Sequence, residues 1–359
     1  MRREYMTLAQ YGEFRILRDI VHPALRGVSP KEGLGDDCGC VTLQSTGLDL
    51  VVTTDAVPKP AVWHLGHNSY HTWGWYSVVI NLSDLAAAGA DPLLFVTCVD
   101  APDSMGASDF EEFFLGMAEA CETFGVLNAG GNIRSADSFS ACGTAVGVIR
   151  SGSQIRRGGC KPEDLIVCVG TCGAFSSAYI RAKAIGLRCA SDHDRTCLLR
   201  PKPRIQEMRI LRDAGVVSAA SDNSDGVLGT LSNIAEASKC AIHLTLSDDS
   251  IPPDVRSIAL EYGYDPWNLF FCWGDWQVVA AISSTKLAEF SDLARKHTIP
   301  FIPLGRAVAG APAIYAVTDG LTRPVRVLRN ESFSQSSFTR DPEAQLNRML
   351  NESIVGDHA

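Results

Sequence analysis

One stretch, 74–92, constrains the fold more than any other: GWYSVVINLSDLAAAGADP joins a helical pattern, an abrupt stop and one acid among apolar residues. Trp75, Val78, Val79, Leu82, Leu85 and Ala86 recur at the spacing of one helix face. Gly89 and Pro92 end the helix, because glycine takes the left-handed cap conformation and proline cannot continue the ladder. Asp84 precedes the run Leu85-Ala86-Ala87-Ala88, where water is scarce, so its carboxylate must be paired or metal-bound. A lone helical Asp of this kind usually caps a loop or meets an arginine, so its meaning depends on the other acids it meets.

Composition narrows the partners. A chain of 359 residues with 46% hydrophobic and 20% charged residues suits about two soluble globular domains. The net charge of -9, with basic residues scattered, speaks against nucleic acid or an anionic membrane as the main partner. No apolar run reaches the ~18 residues of a membrane span, and the start MRREYMTLAQYGEFRILRDIV lacks a signal peptide's apolar centre, so a cytoplasmic location is expected. The twelve cysteines offer no pair of CxxC knuckles and read as mostly reduced, buried small hydrophobes. His64, His67 and His71 lie close enough in sequence to bind a metal, but without a helical register they read as loop histidines.

In chain order, the pattern predicts a helix over 4–27, then a turn with Gly33, Gly35 and the adjacent acids Asp36 and Asp37. A β-branched strand over 48–55 ends in Asp55. Beyond the organising helix come a strand over 93–99, a helix over 108–124 capped by Ser108, a strand running into Gly130-Gly131-Asn132, and a strand over 138–149. The second half reads as a strand over 165–169, helices over 174–186 and 203–215, and a helix opened by Ser221-Asp222-Asn223-Ser224-Asp225-Gly226. Strands over 242–246, 270–282 and 299–304 and a helix over 286–297 follow, and the residues after 330 read as a polar segment that wraps the surface or stays mobile.

Asp36, Asp37, Asp55, Asp84, Asp222 and Asp225 each sit at a glycine-rich turn, a strand end or near a helix start. If these ends converge, the carboxylates cannot all ionise without cations. An all-oxygen set favours Mg²⁺, which prefers carboxylates together with substrate phosphates. No G-x-x-x-x-G-K-[ST] is present, so a bound nucleotide would be held through metal bridges.

GLGDDCGC (33–40), TTDAV (53–57), NLSDLAAAGADP (81–92), GGN (130–132), RGGCKPEDLIVCVG (157–170), LRPKPRI (199–205) and SDNSDGV (221–227) resemble, in order and spacing, the motifs of thiamine-monophosphate kinases. That family shares a superfamily with aminoimidazole ribonucleotide synthetase and selenophosphate synthetase. The resemblance implies an α+β, two-domain fold like aminoimidazole ribonucleotide synthetase. Residues 1–155 would bind ATP and Mg²⁺ and pair with a second copy into a β-barrel-like core. Residues 156–329 would form a C-terminal α/β sandwich, and 330–359 a polar tail. By the same resemblance Asp36, Asp55, Asp84, Asn132, Asp222 and Asp225 are metal ligands. Asp37, Thr54, Asn81, Gly130, Gly131 and Ser224 flank the nucleotide, and Arg157 joins Asp84 and Asp225 in the catalytic set. His64, Trp273, Asp275 and Trp276 face the acceptor.

Three departures from the family pattern shape the functional expectation, one of them the replacement of the usual Thr-Thr-Arg by Ile133-Arg134-Ser135. Gly-Gly-Asp is here Gly130-Gly131-Asn132, which removes a charge, and Gly-Gly-Glu-Asp-Tyr-Glu-Leu is Cys272-Trp273-Gly274-Asp275-Trp276-Gln277-Val278. The alternation over 271–278 reads as a strand with two unlike faces, which turns Asp275 toward the substrate and makes one Trp a flat wall; the alternative is that both Trp fill the core. The expected activity is ATP- and Mg²⁺-dependent phosphotransfer to a small molecule other than thiamine monophosphate, in a specialised biosynthetic pathway. The alternatives are ATP activation of an amide or carbonyl oxygen followed by cyclisation or amination, and a homologue that binds nucleotide without turnover.

Overall fold

The computed structural model describes residues 7–25, 28, 35–318, 320–328, 333, 341–352 and 354; Gly33 and Leu34 of the expected turn lie outside them. A five-stranded sheet is built from β1 (Gly39–Leu43), β2 (Leu48–Ala56), β3 (Asp91–Ala101), β4 (Leu127–Ser135) and β5 (Ser140–Arg150), in the order β1-β2-β5-β3-β4. Its neighbours are antiparallel except β3 and β4, which run parallel. Helices α1 (Tyr70–Ala87) and α2 (Ala107–Phe124) belong to the same unit and cross backbone to backbone. An added Cβ at Gly74 would lie 1.8 Å from the Phe113 carbonyl oxygen, and one at Gly116 would lie 1.9 Å from that of His71, so only glycine permits this crossing.

The second sheet takes β6 (Leu165–Val169), β7 (Val217–Asp222), β8 (Ala241–Thr245), β9 (Val278–Ile282), β10 (Phe301–Val308), β11 (Ala313–Thr318) and β12 (Leu321–Pro324), in the order β12-β11-β8-β10-β6-β9-β7. Around it lie α3 (Ala174–Ile185), α4 (Asp192–Leu199), α5 (Ile205–Asp213), α6 (Val227–Ser238), α7 (Pro253–Tyr262), α8 (Pro266–Phe270), α9 (Leu287–His297) and α10 (Pro342–Asn351). Among the described residues no helix is long and apolar enough to cross a membrane.

Helix α1 departs from its one-face reading. Every residue from Thr72 to Ala87 is buried, because the helix lies between the two units and not on one of them. The Trp75 indole donates to the Pro201 carbonyl at 3.0 Å and the Tyr76 hydroxyl to that of Leu198 at 2.9 Å, while Ala86 and Ala87 join the core of Val167, Val169, Met208 and Leu211. The helix also begins earlier than expected, at Tyr70, where the Ser69 side chain accepts the Thr72 N–H.

Other elements correct the sequence reading. Of the expected helix over 4–27, residues 4–6, 26 and 27 lie outside the described residues; the rest is helical but interrupted where Gly12 takes φ 78°, with Leu8–Tyr11 before it and 13–25 after it as one run that includes the π turn Leu17–Val21. Ser108 does not cap α2, which starts at Ala107 after Gly106. Asp222 ends β7, a strand absent from the reading, and α6 opens only at Val227. The expected strand over 270–282 is the end of α8, a loop, and then β9 from Val278. Residues 342–351 are a helix with Gln345, Leu346, Met349 and Leu350 buried, not a mobile surface segment; the i, i+3, i+4 spacing of the last three is its signature.

Candidate functional site

A cleft of 650 Å³ opens between the two units, lined from the first by Asp36, Asp37, Thr54, Asp55, Tyr76 and Asp84 and from the second by Arg157, Phe175, Asp222, Ser224, Asp225, Trp273 and Trp276. On its floor ligand oxygens of Asp37, Asp84 and Asp222 lie within 4.8 Å of one another. Three elements deliver them: the turn before β1, the last turn of the shared helix α1, and the end of β7. The Thr53 hydroxyl donates to Asp84 at 2.6 Å, and the Ser83 hydroxyl to Asp222 at 3.3 Å.

Burial pushes the Asp84 and Asp222 carboxyls well above the ordinary range, and neighbouring carboxylates push the same way. Asp37 is raised too, first by burial, although Arg157 opposes the shift. The Arg157 guanidinium donates twice to Asp37, at 2.8 and 2.5 Å, and its backbone N–H donates to Asp36 at 2.8 Å. Burial works against the Arg157 charge, but Asp37 and Asp222 beside it more than restore it. Asp55, at the end of β2, is pushed up to about 6 by burial and by Asp37. Ser224 and Asp225 line the rim, with the Ser224 hydroxyl donating to Asp222 at 3.2 Å.

The loop carrying Asp222 is held at its start by the Thr230 hydroxyl, which donates to the Asp222 carbonyl at 2.9 Å, and by the Asn223 N–H, which donates to the Gln277 carbonyl at 2.8 Å. The Asn223 side chain is fully buried and neither amide atom has a hydrogen-bond partner, an arrangement that costs about 1–3 kcal/mol per group.

Away from the acids the cleft wall is aromatic. The Phe175 and Trp273 rings lie 5.3 Å apart, and Trp276 meets Tyr76 edge to face at 6.4 Å. Trp276 sits at φ 51°, a left-handed conformation that a bulky residue rarely holds, and its indole N–H has no partner. Gly274, at φ 105°, presses against Phe175, with an added Cβ 2.3 Å from that ring, so the family's glutamate cannot stand there.

Several expected site residues do other work. Asp275 is buried away from the cleft, and its carboxylate accepts the N–H groups of Gly173 at 2.6 Å and Phe175 at 2.7 Å at the start of α3. The 271–277 segment is a loop, so the period-2 argument that turned Asp275 to the substrate does not hold there. Asn81 is fully buried, and its amide accepts the Asp55 N–H and donates to the Ser77 carbonyl. His64 is exposed on a 3₁₀ turn and does not line the cleft, and His67 and His71 line a separate pocket with Arg195 and Arg200. Gly130, Gly131 and Asn132 lie on the exposed edge strand β4, outside the cleft lining. The register Asp55, Gly143, Thr97, Gly131 puts three strand spacings, ~14 Å, between Asp55 and Gly131. Sequence reasoning missed Thr53, Tyr76 and Phe175. Alternation along β2 points to Thr53, since Val51 and Thr53 face inward and Thr54 outward, but nothing in the sequence marks Phe175.

Residues 35–149 match the family model for the N-terminal domain of AIR synthase related proteins, and 161–316 match the model for their C-terminal domain. The chain is similar to a thiamine-monophosphate kinase of Methanospirillum hungatei, 31% identical over 310 residues that cover 86% of this chain and 96% of the relative. Among solved structures, AaThiL complexed with AMPPCP and TMP shares the fold with a TM-score of 0.75, 22% identity and coverage of 91% and 99%. Thiamine-monophosphate kinase from Stenotrophomonas maltophilia gives a TM-score of 0.66 at 26% identity, covering 86% and 96%.

Proposed function

The chain belongs to the thiamine-monophosphate kinase family of phosphotransferases, and from that premise we propose that it transfers the γ-phosphoryl group of ATP, with Mg²⁺, to a small acceptor other than thiamine monophosphate. The observation that carries the reading is the convergence of Asp37, Asp84 and Asp222 on the floor of the cleft between the units. Buried carboxylates held this close, with their pKa values raised, have the donor set and the unmet charge of a Mg²⁺ site. Mg²⁺, when bound, would offset their repulsion and draw charge from the transferred phosphoryl group.

Asp84 and Asp222 would hold the metal, with Asp36, Asp55 and Asp225 toward the opening, while Ser224 offers a hydroxyl along the wall; the Thr54 hydroxyl instead donates to the Gly143 carbonyl at 2.9 Å. Arg157 offsets part of the cost of burying Asp37 and ties the first unit to the second, which makes it a positioning residue. The acceptor oxygen attacks phosphorus in line, forming its O–P bond as the bond to the ADP oxygen breaks. The cleft's task is therefore placement and charge balance, and no covalent intermediate on the protein is needed.

The aromatic wall supports an altered acceptor. Trp273 packs on Phe175 and Trp276 meets Tyr76, which makes that wall bulky, and Asp275, capping α3, is not free to bind substrate. A flat, weakly polar acceptor suits that wall. We also infer a homodimer paired through the first sheet: β4 is an exposed edge carrying Leu127 and Ile133, and pairing would cover it. Phosphorus NMR of the protein with ATP, Mg²⁺ and either thiamine monophosphate or a panel of flat hydroxylated acceptors tests the proposal. Slow reaction with thiamine monophosphate and faster reaction with a panel member are expected. Efficient phosphorylation of thiamine monophosphate would overturn the altered acceptor, and nucleotide binding that is equal in EDTA would overturn the metal-bridged site.

A further inference from the structure

Helix α10 lies beyond the 161–316 segment that matches the family model, yet it reaches the acid loop. Gly226, directly after Asp225, takes φ 85°, and a Cβ there would lie 2.9 Å from the Met349 methyl carbon and 3.1 Å from the Phe271 carbonyl oxygen. Gly226 thus leaves room for Met349 to close on the loop, and Met349, unlike Ser224 and Asp225, is not part of the cleft lining. Next along the chain, the Val227 N–H donates to the Phe271 carbonyl at 3.2 Å, tying the loop to the segment that carries Trp273.

The helix is itself anchored. The Asn268 side-chain amide donates to the Leu350 carbonyl at 2.7 Å and to that of Glu352 at 3.2 Å, and Lys183 pairs with Glu343. Leu346, Met349 and Leu350 share one core with Phe270, Phe271 and Trp273. One short helix therefore backs both the Asp222–Asp225 loop and the aromatic wall, and the loop it backs carries the buried, unpartnered Asn223 side chain.

We propose that α10 is a positioning element of the active cleft, with Met349 the positioning residue that holds the 222–226 loop in its metal-binding shape. The inference rests on reading that loop as part of a Mg²⁺ site. Its test measures metal binding directly, by Mn²⁺ titration followed by electron paramagnetic resonance, together with steady-state kinetics on the full chain. Met349→Ala should weaken Mn²⁺ binding about ten-fold, as loss of a supporting residue behind a metal ligand does, and should raise KM for the acceptor more than it lowers kcat. Met349→Leu, which keeps the bulk, should restore both. A chain ending at Asp341 should lose more affinity than Met349→Ala. Native-like Mn²⁺ affinity in a folded Met349→Ala protein would overturn the inference, as would a Met349→Leu variant as impaired as Met349→Ala. If the truncated chain fails to fold, the two point variants decide. Absence of Mn²⁺ binding to the native protein would instead overturn the metal-site reading itself.

Discussion

The acid floor and the aromatic wall of one cleft are built on opposite plans. Each floor carboxylate rides on or beside a regular element: Asp84 inside α1, Asp222 at the end of β7, Asp37 just before β1. The wall hangs on an irregular loop, 271–277, that needs left-handed backbone at Gly274 and Trp276. A floor held by helix and strand ends can persist while a loop wall changes its residues, which is how a phosphotransfer site can be kept while its acceptor changes.

The sharpest way to break this comparison is Asp84→Asn. Phosphotransfer should fall by on the order of 10²–10³-fold, as when a group stabilising transition-state charge is removed, while the melting temperature without metal stays level or rises because one buried charge is gone. An unfolded Asp84→Asn protein would make Asp84 a structural acid. Arg157→Met comes next: stranding Asp37 should destabilise the metal-free protein by about 3 kcal/mol in urea unfolding, and Mg²⁺ should recover part of the loss. On the wall side, Asp275→Ala should cost about 2 kcal/mol of stability by orphaning the Gly173 and Phe175 N–H groups. Metal affinity should be unchanged, and a loss confined to kcat would return Asp275 to the substrate. Trp276→Gly, at a position that suits glycine, should keep or improve stability and raise the acceptor KM by about ten-fold, as expected for one lost aromatic contact, leaving nucleotide affinity alone.

The smallest effect is set by pH. Asp55 has a folded pKa of about 6, raised from an ordinary value of 3.8, so the folded state binds the extra proton between those values. Stability without metal should fall as pH rises from about 4 through about 6, with Asp37, Asp84 and Asp222, raised in the same sense, adding to the fall. Saturating Mg²⁺ should flatten or reverse that slope in thermal melts; an unchanged slope would place the metal elsewhere.

Much of the floor is legible in the sequence because its cause is local: an acid in an apolar helix or at a strand end is visible in a short window, as with Asp84 and Asp55. The partners are not visible in that way, since Arg157 reaches Asp37 across 120 residues. The wall fails for a different reason. Alternating residues over 271–278 imitate a strand, but the turn at Gly274 cancels the periodicity, and Asp275 goes to the nearest unsatisfied donors, the N–H groups opening α3. The expected site at Gly130, Gly131 and Asn132 rested on the family pattern and on the close backbone approach that a glycine pair allows, and the chain carries these residues on an open edge. α10 shows the reverse error, where a polar average over 330–359 hid one apolar stripe.

The all-round burial of α1 has a consequence during synthesis on the ribosome. When residues 1–155 have emerged, the flank of α1 that bears Trp75, Tyr76, Ala86 and Ala87 has none of its later cover, because Leu198, Pro201, Met208 and Leu211 are still unmade. The nascent first half must carry that apolar flank in water until some sixty more residues have followed, a window in which a chaperone or a second nascent copy competes for it. The halves of this molecule are thus successive steps of one folding event, and neither can be expressed alone without offering the other's interface to the solvent.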